Sequence, residues 1–231
     1  MIDGGTINAT GGDSAAGIGS GLNSRSSVTI KSGTVNAKGN QHSNSGSSGI
    51  GAGLNAGTTT INITDGTIEK AESKNGGAGI GSGYIGGSST VNISGDAELK
   101  DVRGGNLAAG LGSGYGSDKV DVVIDGGTIN ATGGFNAAGI GSGDNGPSSV
   151  TISGGSVSIS NTDAELDITA TAPNADNAIR SKDGKKLDEV IQLAENGKKG
   201  LVKLVKSGTT SISRLFHNGV YADSHSTPPT A

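Results

Sequence analysis

Two tyrosines occupy equivalent places in consecutive units of an internally repeated sequence. Tyr84 and Tyr115 each follow a Gly-Ser-Gly triplet, in a chain where only five of 231 residues are aromatic. A tyrosine ring offers a flat apolar face and a polar tip, which suits the face of a sugar ring. The pair is therefore a candidate platform for a glycan. The structural alternative is two rings that cover the flank of the fold.

A strip of glycines lies directly before these tyrosines. Each unit has a Gly-Ile-Gly or Gly-Leu-Gly segment, and period-two alternation predicts Ile80 and Leu111 inward and their glycine neighbours outward. Glycine weakens a strand interior unless something approaches the backbone closely. The functional interpretation is an open trough for an extended polymer. The alternatives are a loop folded over the strip or a sharp bend that demands glycine. The candidate ligand-binding residues are Tyr84, Tyr115, Gly79, Gly81, Gly110 and Gly112.

The sequence gives little sign of catalytic or metal chemistry. A polysaccharide lyase or hydrolase needs carboxylates that converge across neighbouring units. The acidic residues after the first strand of each unit shift in position and are interrupted by Lys31 and Ser153. The histidines, His42, His217 and His225, are scattered, and there is no cysteine. We therefore expect no catalytic residues, no metal site, no cofactor and no enzyme activity.

The charge balance bears on possible partners. The formal net charge is −4, whereas nucleic acids and anionic membranes attract clustered lysine and arginine. No stretch is long and apolar enough to suggest a membrane span. We therefore expect neither nucleic-acid binding nor membrane insertion.

The elements that must position these residues come from a repeat of about 30 residues. One anchor is an isoleucine at intervals of 28, 33, 30, 31 and 28 residues. A second anchor, the glycine-flanked aliphatic residue, has the same period. The first set is Ile2, Ile30, Ile63, Ile93, Ile124 and Ile152, and the second is Ile18, Ile50, Ile80, Leu111 and Ile140. Two independent anchors with one period indicate a solenoid.

Within each unit the apolar residues alternate with period two, which is typical of strands. Val91 and Ile93 share one face of a first strand, Leu99 lies on a second, and Leu111 marks a third. Glycine supplies 44 residues and hydrophobic residues only 31%, which is too little apolar volume for a compact globule but enough for stacked coils. The sequence predicts an all-β, right-handed parallel β-helix with three short strands per coil and about five to six coils.

The pattern weakens after Ser160. Residues 161–182 are expected to complete a last coil, so the repeats span 1–182. Leu187, Val190, Ile191 and Ala194 have helical spacing, and residues 201–205 continue in similar style. We predict a small C-terminal cap at 183–222, because an open solenoid end must be covered. Residues 223–231 are expected to begin a linker.

The repeat resembles glycine-rich β-helix repeats of surface proteins from Gram-positive bacteria. The resemblance rests on Ile2–Gly12 and Ala15–Gly21 and covers about residues 1–160. It is also similar to β-helix carbohydrate-binding modules that recognise pectin-like polysaccharides. The resemblance implies a non-catalytic extracellular or cell-surface binding module, part of a larger bacterial protein, whose partner is a polysaccharide or host glycan in adhesion. The alternatives are a passive stalk or spacer and, third, a polysaccharide lyase or hydrolase.

Overall fold

The computed structural model describes residues 1–39, 46–135, 137–146 and 148–161, together with strands at 168–171, 179–181, 200–205, 211–217 and 220–223. All regular structure in these residues is β-strand. Among them no helix is long and apolar enough to cross a membrane.

Each coil contributes one long strand, or in one case two short ones, to the long sheet, and we call this contribution a rung. There are six successive rungs, and all neighbouring rungs pair in parallel. Five rungs are single strands that run through a bend, and in one rung the bend separates two strands. The rungs are β1 (Ile2–Thr10), β3 (Ser26–Lys38), β5 with β6 (Thr59–Ile63, Thr67–Glu72), β8 (Ser89–Arg103), β10 (Val120–Gly133) and β12 (Ser148–Asn161). The first and second predicted strands of a coil are therefore the two halves of one rung. Glycines with positive φ, such as Gly95 at 65° and Gly127 at 81°, form the bends.

The third strand of each coil is a two-residue segment in a separate parallel sheet. These segments are β2 (Ile18–Gly19), β4 (Ile50–Gly51), β7 (Ile80–Gly81), β9 (Leu111–Gly112) and β11 (Ile140–Gly141). Together with the rungs they confirm the predicted right-handed parallel β-helix.

The inward aliphatic residues stack into ladders, as predicted. Ile93 pairs with Ile63 on one side and Ile124 on the other, and Ile80 lies between Ile50 and Leu111. Val91, Ile93, Leu99 and Leu111 are at most 1% exposed. The core is a column of small aliphatic side chains, in which each coil is stabilised by its two neighbours.

The C-terminal strands differ from the prediction. A last parallel coil was expected over 161–182. The strands described there, β13 (Ile168–Thr171) and β14 (Ile179–Ser181), form an antiparallel pair, with β13 antiparallel to the second half of β12. Residues 201–205, expected to continue a helical pattern, belong to strand β15 (Gly200–Val205), which pairs in parallel with the first half of β12. Strands β16 (Ser211–His217) and β17 (Val220–Asp223) follow antiparallel. A short apolar run fits either kind of element, and here a free sheet edge was available. The segment with helical spacing, from Leu187 to Ala194, lies outside the described residues, and the boundaries of the cap and linker stay predictions.

Candidate functional site

The two tyrosines meet on one flank of the solenoid. Each follows the two-residue segment of its coil, and those segments pair in register, Ile80 with Leu111 and Gly81 with Gly112. The register carries the tyrosines to equivalent places one coil apart. Their ring centroids are 5.1 Å apart and the ring planes differ by 15°. The predicted proximity of Tyr84 and Tyr115 is confirmed, and both side chains are partly exposed.

The backbone before each tyrosine forms a five-residue turn, which we call an arch: residues 78–82 before Tyr84 and 109–113 before Tyr115. The Ala78 N–H donates to the Ser82 carbonyl oxygen at 2.9 Å, which closes the arch around Ile80. The buried Ser82 Oγ accepts a hydrogen bond from the Gly114 N–H of the next coil at 2.8 Å. The arches are thereby closed within each coil and tied between coils, so the two tyrosines that follow them have little freedom to separate.

The loop before the arch of one coil contacts the backbone of the tyrosine in the next coil. The Tyr84 N–H donates to the Gly46 carbonyl oxygen at 2.6 Å, and the Tyr115 N–H donates to that of Gly76 at 2.7 Å. Gly76 has no side chain at the place where a Cβ would overlap the Tyr84 ring and lie 3.0 Å from the Tyr115 Cβ. Because Gly76 has no side chain, the loop backbone can pack closely against both tyrosines.

A cleft of about 310 Å³ opens beside this contact. Its lining residues are uncharged: Asn75, Gly76, Tyr84, Asn106 and Leu107. The two asparagines are equivalent, since each stands three residues before the alanine that opens its arch. An amide group both donates and accepts hydrogen bonds. The cleft thus combines an aromatic ring with an amide from each of two successive coils, a set suited to a ligand rich in hydroxyl groups.

The glycine strip is not an open trough. Gly79, Gly81, Gly110 and Gly112 are all buried. A Cβ on Gly79 would lie 2.7–2.8 Å from backbone atoms of the neighbouring coil and of the rung that the arch faces. The alternation rule correctly placed Ile80 and Leu111 inward, but it assumes an extended strand, and this segment is the tip of an arch. Glycine is there because backbones pack closely at a sharp bend, so these four buried residues offer little surface to a ligand.

The acidic side chains that follow the first strand of each coil form hydrogen bonds at the bends of the backbone. The Asp65 carboxylate accepts a hydrogen bond from the Asp96 N–H, and the Asp3 carboxylate accepts one from the Ser32 hydroxyl, both at 3.1 Å. In the part of the chain that the structure describes, no three acidic or histidine side chains group into a site that could hold a metal ion. His42 and His225 lie outside that part.

A charge ladder follows the outer face of the rungs. Lys38, Glu72 and Arg103 are register neighbours in three successive coils. The Glu72 carboxylate lies 2.8 Å from the Lys70 amine and 3.2 Å from that of Lys38. Partial burial opposes ionisation of Glu72, but the hydrogen bonds from the two lysines outweigh it and lower the pKa of this carboxyl. Of these two pairs, Lys38 with Glu72 joins neighbouring coils, whereas Lys70 and Glu72 lie in the same strand.

The lowered pKa of Glu72 predicts a small dependence of stability on pH. Its stabilisation is fully present above the pKa of the unfolded chain and is lost as the pH falls through the lower folded pKa. We expect at most about 1 kcal/mol, because the pair is near the surface. Urea unfolding from pH 7 downward should show a smaller acid loss in Glu72→Gln than in the parent chain. Identical pH curves for the two proteins would exclude this contribution.

Comparison with known protein families agrees with this architecture. Residues 1–22, 28–54, 61–84 and 122–144 match the beta helix repeat family, and together they cover less than half of the chain. The fourth rung, β8, lies outside the matched segments but keeps the same register. The described coils are a parallel β-helix repeat domain. No curated protein and no solved structure matches the chain.

Part of the candidate site in this β-helix domain escaped the sequence analysis. Asn75, Asn106 and Leu107 come from the loop before the arch, in which the sequence predicted no site residue. One signal was available, because the two asparagines stand at the same offset from their arches in consecutive coils. The contribution of Leu107 was not visible, since it depends on the conformation of the loop backbone.

Proposed function

We propose that this domain is a non-catalytic carbohydrate-binding module of an extracellular or cell-surface protein, with its glycan in the cleft beside Tyr84. The observation that carries the proposal is that coil register brings Tyr84, stacked on Tyr115, to one cleft with an amide from each of two successive coils. The resemblance of the repeats to those of bacterial surface proteins supports the setting.

The chemistry of the lining defines the kind of sugar. Aromatic carbons favour the C–H face of a pyranose ring, while Asn75 and Asn106 can pair with hydroxyl groups. Because the tyrosines stack on each other, each ring keeps at most one face for a ligand. The lining residues carry no charge. A neutral sugar therefore fits better than a uronate, which would need cationic partners.

The repeat also suggests how a polymer would lie. Equivalent groups on neighbouring coils are separated by the strand spacing of about 4.8 Å. A linear glycan that runs along the solenoid axis could place successive residues against successive coils. The same contact would then be made twice, which favours an extended polysaccharide over a single sugar.

A passive stalk or spacer is the second candidate. Asparagine pairs on the outer surface support it, because the hydrogen bonds from Asn36 to Asn8 (3.1 Å) and from Asn92 to Asn62 (2.8 Å) join neighbouring coils. A spacer, however, gives no reason for an aromatic pair beside a cleft. The two functions differ in one property, which is measurable affinity for a glycan.

Loss of both rings should reduce glycan retention. We expect the variant Tyr84→Ala, Tyr115→Ala to bind a retained polysaccharide roughly five- to tenfold more weakly, from the loss of about 1 kcal/mol or slightly more of stacking. The measurement is affinity electrophoresis through gels that contain defined neutral and acidic polysaccharides, with circular dichroism to show that the fold survives.

The repeat provides a matched control. Leu22 occupies the equivalent position in the first coil and is 50% exposed, so Leu22→Ala removes apolar surface at the same kind of place away from the cleft. Its retention should equal that of the parent chain. Retention that survives loss of both tyrosines would remove the cleft from the site. A parent chain retained by no polysaccharide would leave the spacer function standing.

A further inference from the structure

Two bulky apolar residues near the cleft have left-handed backbone conformations. Ile85 has φ of 52° and Leu107 has φ of 65°. This region is costly for residues with large side chains and above all for β-branched ones, whereas asparagine and glycine adopt it readily. The other non-glycine residues with positive φ in the described part of the chain are Ser14, Asn23, Asn55 and Asn145. Both apolar exceptions thus fall in the coils that form the cleft.

The other coils show which residues these positions ordinarily take. The position of Ile85, three residues after the last residue of the arch, holds Asn23, Asn55, Gly116 and Asn145 elsewhere. The position of Leu107, three residues before the first glycine of the arch, holds Ser14 in the first coil, where φ is likewise positive at 61°. Gly46 and Gly76 have the same offset in the second and third coils but do not have a positive φ. The coils at the cleft therefore depart from the low-strain choice twice, at two different turns.

Core burial does not compensate for this strain. Ile85 is 45% exposed, and Leu107 is partly exposed and lines the cleft. The Ile85 N–H donates to the Tyr115 carbonyl oxygen at 2.8 Å, which ties this turn to the second tyrosine. A strained backbone that holds an exposed apolar side chain beside a cleft points to a role in binding.

We propose that Ile85 and Leu107 are ligand-contacting residues that select neutral sugars bearing a methyl group. This inference rests on the proposed glycan-binding function and names its substrate class. The rings and amides of the cleft suit any neutral pyranose, but two added aliphatic side chains favour a ligand with an apolar substituent. A methyl group is carried by 6-deoxyhexoses and by the acetamido group of N-acetylhexosamines. Unsubstituted hexoses lack it and gain less from these contacts.

The test separates binding from stability. Ile85→Asn and Leu107→Ser restore the residues that other coils use at these positions, so each should raise the midpoint of thermal unfolding by about 2–4 °C. The same variants should lower the affinity for methyl-bearing glycans by roughly three- to tenfold, from the lost burial of apolar area. Binding is measured by affinity electrophoresis against three probes: a polysaccharide rich in 6-deoxyhexose, one of N-acetylhexosamine, and an unsubstituted glucan. The first two probes distinguish the sources of the methyl group.

The control introduces isoleucine in place of asparagine at the equivalent position of another coil. Asn23→Ile places the same strained residue type at the equivalent turn of the first coil, whose N–H donates to the Leu54 carbonyl oxygen and not to a tyrosine. It should lower the unfolding midpoint and leave binding unchanged. Ile85→Asn and Leu107→Ser variants that are more stable but bind as tightly would overturn the inference. So would a loss of stability in these variants, or stronger binding to the unsubstituted glucan than to either methyl-bearing probe. Retention that depends on the tyrosines but not on Ile85 or Leu107 would leave the proposed function intact, whereas a parent chain that binds no probe would overturn both.

Discussion

Replacing Gly81 with alanine should lower the free energy of unfolding by roughly 3–5 kcal/mol, the upper range for a single substitution. Two costs combine at this position. The backbone has φ of 137°, which L side chains rarely adopt, and an added Cβ would lie 2.0 Å from the Gly112 carbonyl oxygen of the next coil. The clash is with backbone in the parallel ladder, so no side-chain rotation relieves it. Urea unfolding followed by circular dichroism would measure the loss.

Two other glycines make this a matched series. Gly5 has φ of 80° but open space around an added Cβ, so Gly5→Ala isolates the backbone cost, about 1–2 kcal/mol. Gly12 has open space and no such φ, and Gly12→Ala should change stability by less than about 0.5 kcal/mol. Equal losses at Gly5 and Gly81 would show that the arches can move apart and that close packing does not explain the glycine.

Truncating Ile93 is expected to cost roughly 2–5 kcal/mol. Its side chain is 1% exposed and lies in the ladder between Ile63 and Ile124, so Ile93→Ala leaves a cavity bounded by two coils. The coils above and below cannot collapse into it without breaking their own register. Thermal and urea unfolding would measure the change.

Val123 supplies the comparison on the outer face. It belongs to β10, one coil from Ile93, and is 38% exposed. Val123→Ala should change stability by less than about 1 kcal/mol, because little apolar area leaves a packed environment. Similar losses for the two substitutions would mean that the inward and outward faces have been exchanged.

Periodic residues made the coil architecture predictable from sequence. Ile30, Ile63 and Ile93 recur at nearly constant intervals, and the structure pairs them directly. Two independent anchors fixed the register, because shifting either by one residue would turn its aliphatic side chains out of the core. The stacking of Tyr84 on Tyr115 followed from the same register.

Conformation at single residues set the limit of that prediction. The orientation of Gly79 and Gly81 was inferred from strand alternation, which does not hold at an arch closed by a hydrogen bond from Ala78 to Ser82. The left-handed turns at Ile85 and Leu107 could not be read from their residue types, since both types disfavour that conformation. The strand at 200–205 depends on the free edge of β12, a partner far away in the chain.

The separation between arches and loops has an evolutionary consequence. The arches and rungs stabilise the fold through backbone hydrogen bonds between coils. The cleft is lined by residues from the segments before and after the arch. For example, Leu54→Tyr would change the surface of the second coil only and would leave the aliphatic core unchanged. Substitutions in these turns can therefore change the surface of one coil without disturbing the core, and duplication of a coil would lengthen the row of turns without a new fold.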